Sequence, residues 1–202
     1  FADFNNDGLS DIFVSKGNLE QMPDFAAYDP SNLLLGQWNG KFAEAGDEAG
    51  IACNAKGRGA LIADFNFDGR LDILQINRGS NVLLWRNLGA KNPGEHGDGP
   101  PLPMGNWSEI KLIEPNPNRN AVGARISIRT GTRTQTRFVD VGGGDASGHS
   151  GFIHVGLGTA ERAEIRVQWP DGDQSPSYRV FANQYVVIDR TKPQAAYWYS
   201  GR

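Results

Sequence analysis

The chain has 202 residues, 39% of them hydrophobic, with 26 glycines and a formal net charge of −3. This length allows one large or two modest domains, and the glycine content indicates a turn-rich protein. No apolar run approaches the ~20 residues that a membrane-spanning helix requires. The single cysteine excludes an intrachain disulfide. The acidic balance and the lack of a binding motif argue against nucleic acid as a partner.

Two copies of one acidic motif lie 61 residues apart, at 3–11 and 64–72, and both read Asp-x-Asn-x-Asp-Gly-x-x-Asp. Carboxylates so close together repel one another unless a cation lies among them, and Ca²⁺ takes six to eight oxygen ligands. The glycine allows a sharp turn that brings the following carbonyl to the metal. The sequence therefore predicts two Ca²⁺ sites. The expected ligands are Asp3, Asn5, Asp7, the Leu9 carbonyl and Asp11, and Asp64, Asn66, Asp68, the Arg70 carbonyl and Asp72.

Strand-forming residues follow each motif directly, at 12–14 and 73–76. The helix-loop-helix calcium motif needs Glu at its twelfth place, where this chain has Val14 and Gln75. A predicted partner strand at 59–63 precedes the second motif, so each Ca²⁺ would lie in a hairpin turn. The alternative is a pair of solvated acidic turns that hold no metal.

Further strands are expected after each motif, at 32–36 and 81–85, with Asn39-Gly40 as a hairpin turn. In this order, residues 1–90 resemble the FG-GAP or VCBS repeats. The resemblance implies propeller-like blades with one Ca²⁺ in each hairpin loop. Two blades are too few to close a propeller. Since the chain also begins inside a motif and without Met, we expect a processed or partial chain.

The second half follows a Gly- and Pro-rich segment at 91–105, which is interpreted as a linker or long loop. Apolar and polar residues then alternate, with Ala124, Ile126 and Ile128 on one face of a strand and arginines on the other. Several such short strands predict an antiparallel sandwich or barrel.

Four segments within 106–190 carry a second resemblance, to the ASPIC/UnbV domain; they lie at 120–125, 142–144, 154–158 and 167–172. The whole chain is thus similar to the C-terminal part of cartilage-acidic-protein-like molecules. The resemblance implies an all-β fold and an extracellular location, and it implies no reaction. The expected organisation is two repeats at 1–90, the linker, a β domain at 106–190 and an aromatic tail at 191–202.

Two features suggest catalysis at first sight. The glycine-rich segment 142–151 lacks the Gly-Lys-[Ser/Thr] ending of a P-loop, and Ser147 and Ser150 beside His149 lack a nucleophile elbow. His154, in a predicted strand, is expected to be structural. We therefore expect no catalytic residue, no organic cofactor and no enzymatic activity.

Three features suggest partners. Residues 115–139 contain five arginines and no acid, and Arg125 and Arg129 share a strand face that could meet an acidic polysaccharide or protein. The alternative, which the sequence favours, is that these arginines are solvated residues that discourage edge-to-edge aggregation. The aromatic residues Tyr197, Trp198 and Tyr199 are expected to dock on this chain or on a neighbour, and Asn106-Trp-Ser is a glycosylation sequon.

The first hypothesis is a non-enzymatic, Ca²⁺-stabilised, secreted or cell-surface module for structure or adhesion. Strands of a neighbouring chain would complete its blades and could build a fibre. The alternative hypothesis is a carbohydrate- or receptor-binding module that uses the arginine-rich face. Since six of the acids are the motif aspartates, two Ca²⁺ would raise the net charge to about +1.

Overall fold

The computed structural model of the protein describes residues 1–17, 29–91, 101–102, 104–142 and 151–199. Within these ranges the chain is all-β, which confirms the predicted fold class, and none of them contains a helix that is long and apolar enough to cross a membrane. The described residues form two compact units. The first takes those within 1–5 and 9–103, and the second takes those within 6–8 and 104–199.

The first unit contains two three-stranded antiparallel sheets, in which the strands follow one another in chain order. The strands of one sheet are β1 (Ile12–Val14), β2 (Asn32–Gly36) and β3 (Phe42–Glu44), and those of the other are β4 (Gly57–Ala63), β5 (Asp72–Asn77) and β6 (Leu83–Trp85). A short pair, β7 (Ala90–Lys91) and β8 (Pro101–Leu102), follows. The predicted strand after each acidic motif and the Asn39-Gly40 turn between β2 and β3 are present, and Gly40 has a φ of 78°.

Each of the two sheets contains some of the strand positions of a common repeat. In the second repeat β4 precedes the acidic motif and pairs with β5, ending at the Ala63–Asp72 pair. In the first repeat an isolated bridge between Ala2 and Asp11 lies at the equivalent place, and β3 adds a strand beyond β2. Taken together, the sheets represent four successive strand positions of a propeller-like blade. Their buried apolar residues are Phe4, Leu33, Ile51, Leu71 and Ile73.

The second unit is a sandwich of two four-stranded sheets around one apolar core, and its described strands close no barrel. The front sheet has the order β11-β10-β13-β14, and the back sheet has the order β12-β9-β15-β16. The front strands are β10 (Arg125–Thr130), β11 (Arg133–Phe138), β13 (Arg162–Gln168) and β14 (Tyr178–Phe181); the back strands are β9 (Asn106–Ile113), β12 (Ile153–Gly158), β15 (Gln184–Asp189) and β16 (Ala196–Trp198).

The alternation predicted for β10 is present: Ile126 and Ile128 are fully buried, while Arg125 and Arg129 are exposed. Ile110 and Leu112 of the back sheet complete the same core. One strand pair differs from the antiparallel expectation, because β9 and β15 run parallel.

The aromatic tail belongs to the back sheet. Its strand β16 pairs with β15, and the Trp198 ring lies 5.4 Å from that of Tyr185 and 5.5 Å from that of Phe152. The backbone N–H of Phe181 donates to the Tyr197 hydroxyl over 3.3 Å. Of the three aromatic residues proposed as a partner surface, two therefore dock on their own chain, and only Tyr199 is largely exposed, at 73%.

We predict that Trp198→Ala destabilises the second unit by about 2 kcal/mol, which is below the 3–5 kcal/mol typical of a fully buried tryptophan because Trp198 is only half-buried. Urea denaturation followed by far-UV circular dichroism measures this. Tyr199→Ala removes a neighbouring aromatic ring and should change stability by less than ~0.5 kcal/mol. Equal effects of the two substitutions would contradict the docking.

Candidate metal centre

The two acidic loops have the same backbone conformation. The fourth residue of each motif has a positive φ, 60° at Asn6 and 61° at Phe67, and the glycine of each is also left-handed, with 86° at Gly8 and 80° at Gly69. Positive φ is uncommon for residues other than glycine, and especially so for a bulky one. The chance of two unrelated turns sharing this pattern is small, so the structure repeats the loop as well as the sequence does.

The last aspartate of each motif is buried and holds backbone N–H groups. Asp11 accepts hydrogen bonds from the N–H of Phe4 and of Gly36, each over 2.8 Å. Asp72 accepts from the N–H of Asn87 over 2.7 Å and from that of Phe65, the counterpart of Phe4. These carboxylates therefore tie the start of each loop to the chain that ends the next strand. Sequence reasoning assigned them only as metal ligands.

The other acids of the second loop are bonded within the loop. Asp64 accepts hydrogen bonds from the N–H of Asp68 over 3.1 Å and of Gly69 over 2.6 Å. Asp68 accepts from the Arg70 N–H over 3.0 Å and from the Asn66 amide over 2.9 Å, and it forms an ion pair with the Arg70 guanidinium. The predicted donor residues thus share one turn.

Burial and repulsion act differently on two of these carboxyls. Burial favours a raised pKa at Asp68, but hydrogen bonds from Asn66 and Arg70, with the charge of Arg70, outweigh it and lower the pKa. Burial raises the pKa of Asp72 despite two backbone hydrogen bonds, and the charges of Asp68 and Asp64 add to the shift. Like charges in the loop therefore do repel one another.

The donor set of each loop fits Ca²⁺ in its chemistry, because carboxylates, an amide and a carbonyl are the hard oxygen ligands that this ion prefers. The left-handed glycine at the sixth place fits as well. Across the part of the chain that the structure describes, no three His, Cys, Asp or Glu side chains are gathered as a metal-holding group. In the second loop, Asp68 would therefore have to exchange its bonds with Arg70 and Asn66 for the metal.

The centre of the first loop, Asn6–Gly8, belongs to the second unit. Asn6 is buried, its Oδ1 lies 2.7 Å from His154 Nε2, and its carbonyl accepts from the N–H of Gly158 over 2.8 Å. His154 Nδ1 lies 2.9 Å from Glu109 Oε1, and this ring nitrogen donates because a carboxylate accepts. Sequence reasoning expected a structural histidine here, and it missed both partners, which lie 45 and 148 residues away.

The remaining predicted residues are placed as follows. Arg125 and Arg129 lie on the exposed face of the front sheet. Asn106 begins β9, where its amide donates to the Ala160 carbonyl over 3.1 Å and accepts from Asn183 over 2.9 Å. Glycosylation of Asn106 stays a prediction, and the attached sugar would have to preserve these bonds. Residues 92–100 of the linker and 143–150, with Ser147, His149 and Ser150, lie outside the described residues.

Comparison with protein families matches two parts of the chain. The model for an FG-GAP-like repeat matches residues 3–75, and the model described as ASPIC and UnbV matches residues 114–195. No curated protein matches the chain significantly. The two matched parts are thus similar to a propeller-like β repeat and to a β domain that follows it. In particular, the chain consists of an FG-GAP-like repeat followed by an ASPIC/UnbV domain, as the motifs predict.

We predict that Asp72→Ala lowers the stability of the first unit by about 1–3 kcal/mol even without calcium, because two backbone N–H groups lose their acceptor. Denaturation in EDTA measures this anchoring role separately from any metal. Asp47→Ala removes an exposed acid of the same unit and should be nearly neutral. If the two substitutions cost the same in EDTA, Asp72 does not anchor the loop.

Proposed function

We propose that this protein is a Ca²⁺-stabilised, non-enzymatic module with a structural or adhesive role outside the cell. The observation that carries the proposal is the twofold occurrence of one loop, with the same order of oxygen donors and the same left-handed turns. Such a repeat is explained by a common ligand better than by two solvated turns.

Calcium would act on a defined electrostatic problem. In the second loop the negative charges of Asp64 and Asp68 act on Asp72 and raise its pKa, and this repulsion opposes the turn. A bound Ca²⁺ supplies two positive charges and makes the closed loop favourable. Protein sites of this kind outside cells bind in the range of about 10⁻⁴–10⁻³ M, which suits a compartment rich in calcium. This supports the proposed extracellular or cell-surface location.

We predict that 10 mM Ca²⁺ stabilises the first unit relative to EDTA by about 1.4–2.7 kcal/mol per occupied loop, the value for a ligand at 10–100 times its Kd. Thermal denaturation and isothermal titration measure the shift and the stoichiometry of two. Asp64→Ala combined with Asp68→Ala should remove one equivalent and roughly half of the shift.

Mg²⁺ at the same concentration and Asp47→Ala serve as controls for ionic strength and for loss of an acid. An unchanged melting temperature between Ca²⁺ and EDTA, with no heat of binding, would remove the metal from this proposal.

The assembly part of the proposal is supported by the surface of the first unit. Among the described strands, β1, β3, β4 and β6 each pair on one side only. Large apolar side chains are exposed nearby: Trp38 is 72% exposed, Leu84 59% and Leu88 62%. Exposed strand edges with apolar neighbours favour addition of further strands. We propose that a neighbouring copy of the chain supplies them, and a contact that does not close would propagate into a fibre.

We predict that the protein self-associates in Ca²⁺ as its concentration rises, and that Leu84→Lys with Leu88→Lys shifts it to the monomer. Light scattering coupled to size-exclusion chromatography gives the mass with and without EDTA. Val141→Lys places the same charge at an exposed apolar residue of the second unit and should leave the mass unchanged. Monomers at all concentrations in Ca²⁺ would rule out self-assembly.

A further inference from the structure

The exposed face of the front sheet carries more arginines than the sequence stretch that first suggested a basic stripe. In the strand register, residues that pair directly across neighbouring strands point to the same side of the sheet. Arg125 pairs with Gln168, Ser127 with Arg166, and Arg129 with Glu164. Glu164 pairs in turn with Arg179, and Arg162 pairs with Phe181. The arginines that share this face are Arg125, Arg129, Arg162, Arg166 and Arg179.

All five arginines are exposed, while the residues between them face the core. Ile126, Ile165 and Val167, for example, are fully buried. The basic face is therefore the solvent side of a rigid sheet, and its guanidinium groups are presented by strands whose other side is fixed in the sandwich. Such a platform loses little backbone entropy on binding.

The arginines occupy four successive levels along the strand direction. Arg125 lies at the first level, Arg166 at the second, Arg129 and Arg179 at the third, and Arg162 at the fourth. Levels of this kind are two residues apart, about 6.8 Å, so the row spans about 20 Å. A single small anion would contact one or two of these groups. A linear polyanion lying along the strands would meet a positive charge at every level.

The charge of the face is only partly balanced within the protein. Among its described residues Glu164 is the only acid, and it pairs with Arg129 and lies 3.5 Å from Arg166. Neither Arg125 nor Arg179 has a carboxylate within ion-pair distance in the described parts of the chain. The face thus keeps an excess of positive charge that is complementary to an anionic partner.

The side chains around the arginines favour a sugar polymer. Ser127, Thr134, Thr136 and Gln168 share the face and can exchange hydrogen bonds with hydroxyl groups. Proteins that bind single-stranded nucleic acid stack bases on exposed aromatic rings. Here the two central strands present no aromatic ring on this face. Of the two rings on its edge strands, Phe181 lies under Arg162 at 4.8 Å, and Phe138, which pairs with Arg125, is 66% exposed. One exposed ring at an edge does not form the row of rings on which successive bases stack.

We propose that the exposed face of the front sheet binds a linear polysaccharide that carries carboxylate groups, with the polymer running along the strands. Arginine guanidinium groups match carboxylates in geometry and bind them through two hydrogen bonds. The face is distinct from the calcium loops, and the binding does not depend on metal.

The test uses the full chain and oligosaccharides of hyaluronan, a linear polymer with one carboxylate per disaccharide and no sulfate. Microscale thermophoresis at low salt should show binding both in Ca²⁺ and in EDTA, and binding should weaken as salt rises. Arg125→Ser with Arg179→Ser should weaken it about tenfold, since each exposed charge pair contributes a few-fold. Neither arginine forms an ion pair with another described residue, so the double variant should keep the wild-type melting temperature.

Arg119→Ser with Lys192→Ser is the matched control, because it removes two exposed positive charges of the same unit that lie outside the strands of the front sheet. It should leave hyaluronan binding within twofold of the wild type. The proposal is overturned by any of three results: no binding to hyaluronan, equal loss in the control variant, or tighter binding to single-stranded DNA of equal charge. Loss of binding in EDTA alone would overturn its independence from the calcium loops.

Discussion

The buried carboxylate at the end of each acidic loop is the interaction on which the first unit depends. A buried charge is costly unless it is paired or hydrogen-bonded, and Asp11 and Asp72 accept hydrogen bonds from backbone N–H groups. Each therefore fixes two chain segments. The residue predicted as the last metal ligand of each loop therefore also fixes its tight turn.

The same loop is used differently in its two copies. At the fourth place the first copy has Asn6, which is buried and contacts His154, and the second has Phe67, which is 42% exposed. In the first copy the polar Asn6 side chain joins a hydrogen-bond network with His154 and Glu109.

Sequence reasoning found the elements whose signal is local. The order of oxygen donors predicted the two loops, and the alternation around Ile126 predicted the core face of β10. Both predictions depend on the spacing of residues within about ten positions of the sequence. The parallel pairing of β9 with β15 could not be found, since the partners lie 76 residues apart and either direction buries the same side chains. The strand β16 was not predicted, because three residues are too few to show the alternation of apolar and polar residues that indicates a strand.

The extent of the basic face was missed for a related reason. The stretch 115–139 was selected by its lack of acids along the sequence, yet Arg129 is balanced by Glu164 from a strand 35 residues later, which also brings Arg166. The net charge of one face of a sheet depends on which residues pair across neighbouring strands. That register cannot be deduced from the sequence of any one strand. Of the arginines in that stretch, Arg133 and Arg137 instead bond to carbonyl groups within the second unit.

The two exposed surfaces therefore differ in chemistry, and this bears on how one chain could hold two partners. Apolar side chains at the strands of the first unit favour protein, whereas guanidinium groups on the front sheet repel a second copy of themselves and discourage sheet-to-sheet association there. Self-assembly and polyanion binding would then use separate surfaces. The loop aspartates would link them only through net charge, since two bound Ca²⁺ would change the formal charge of the chain from −3 to about +1.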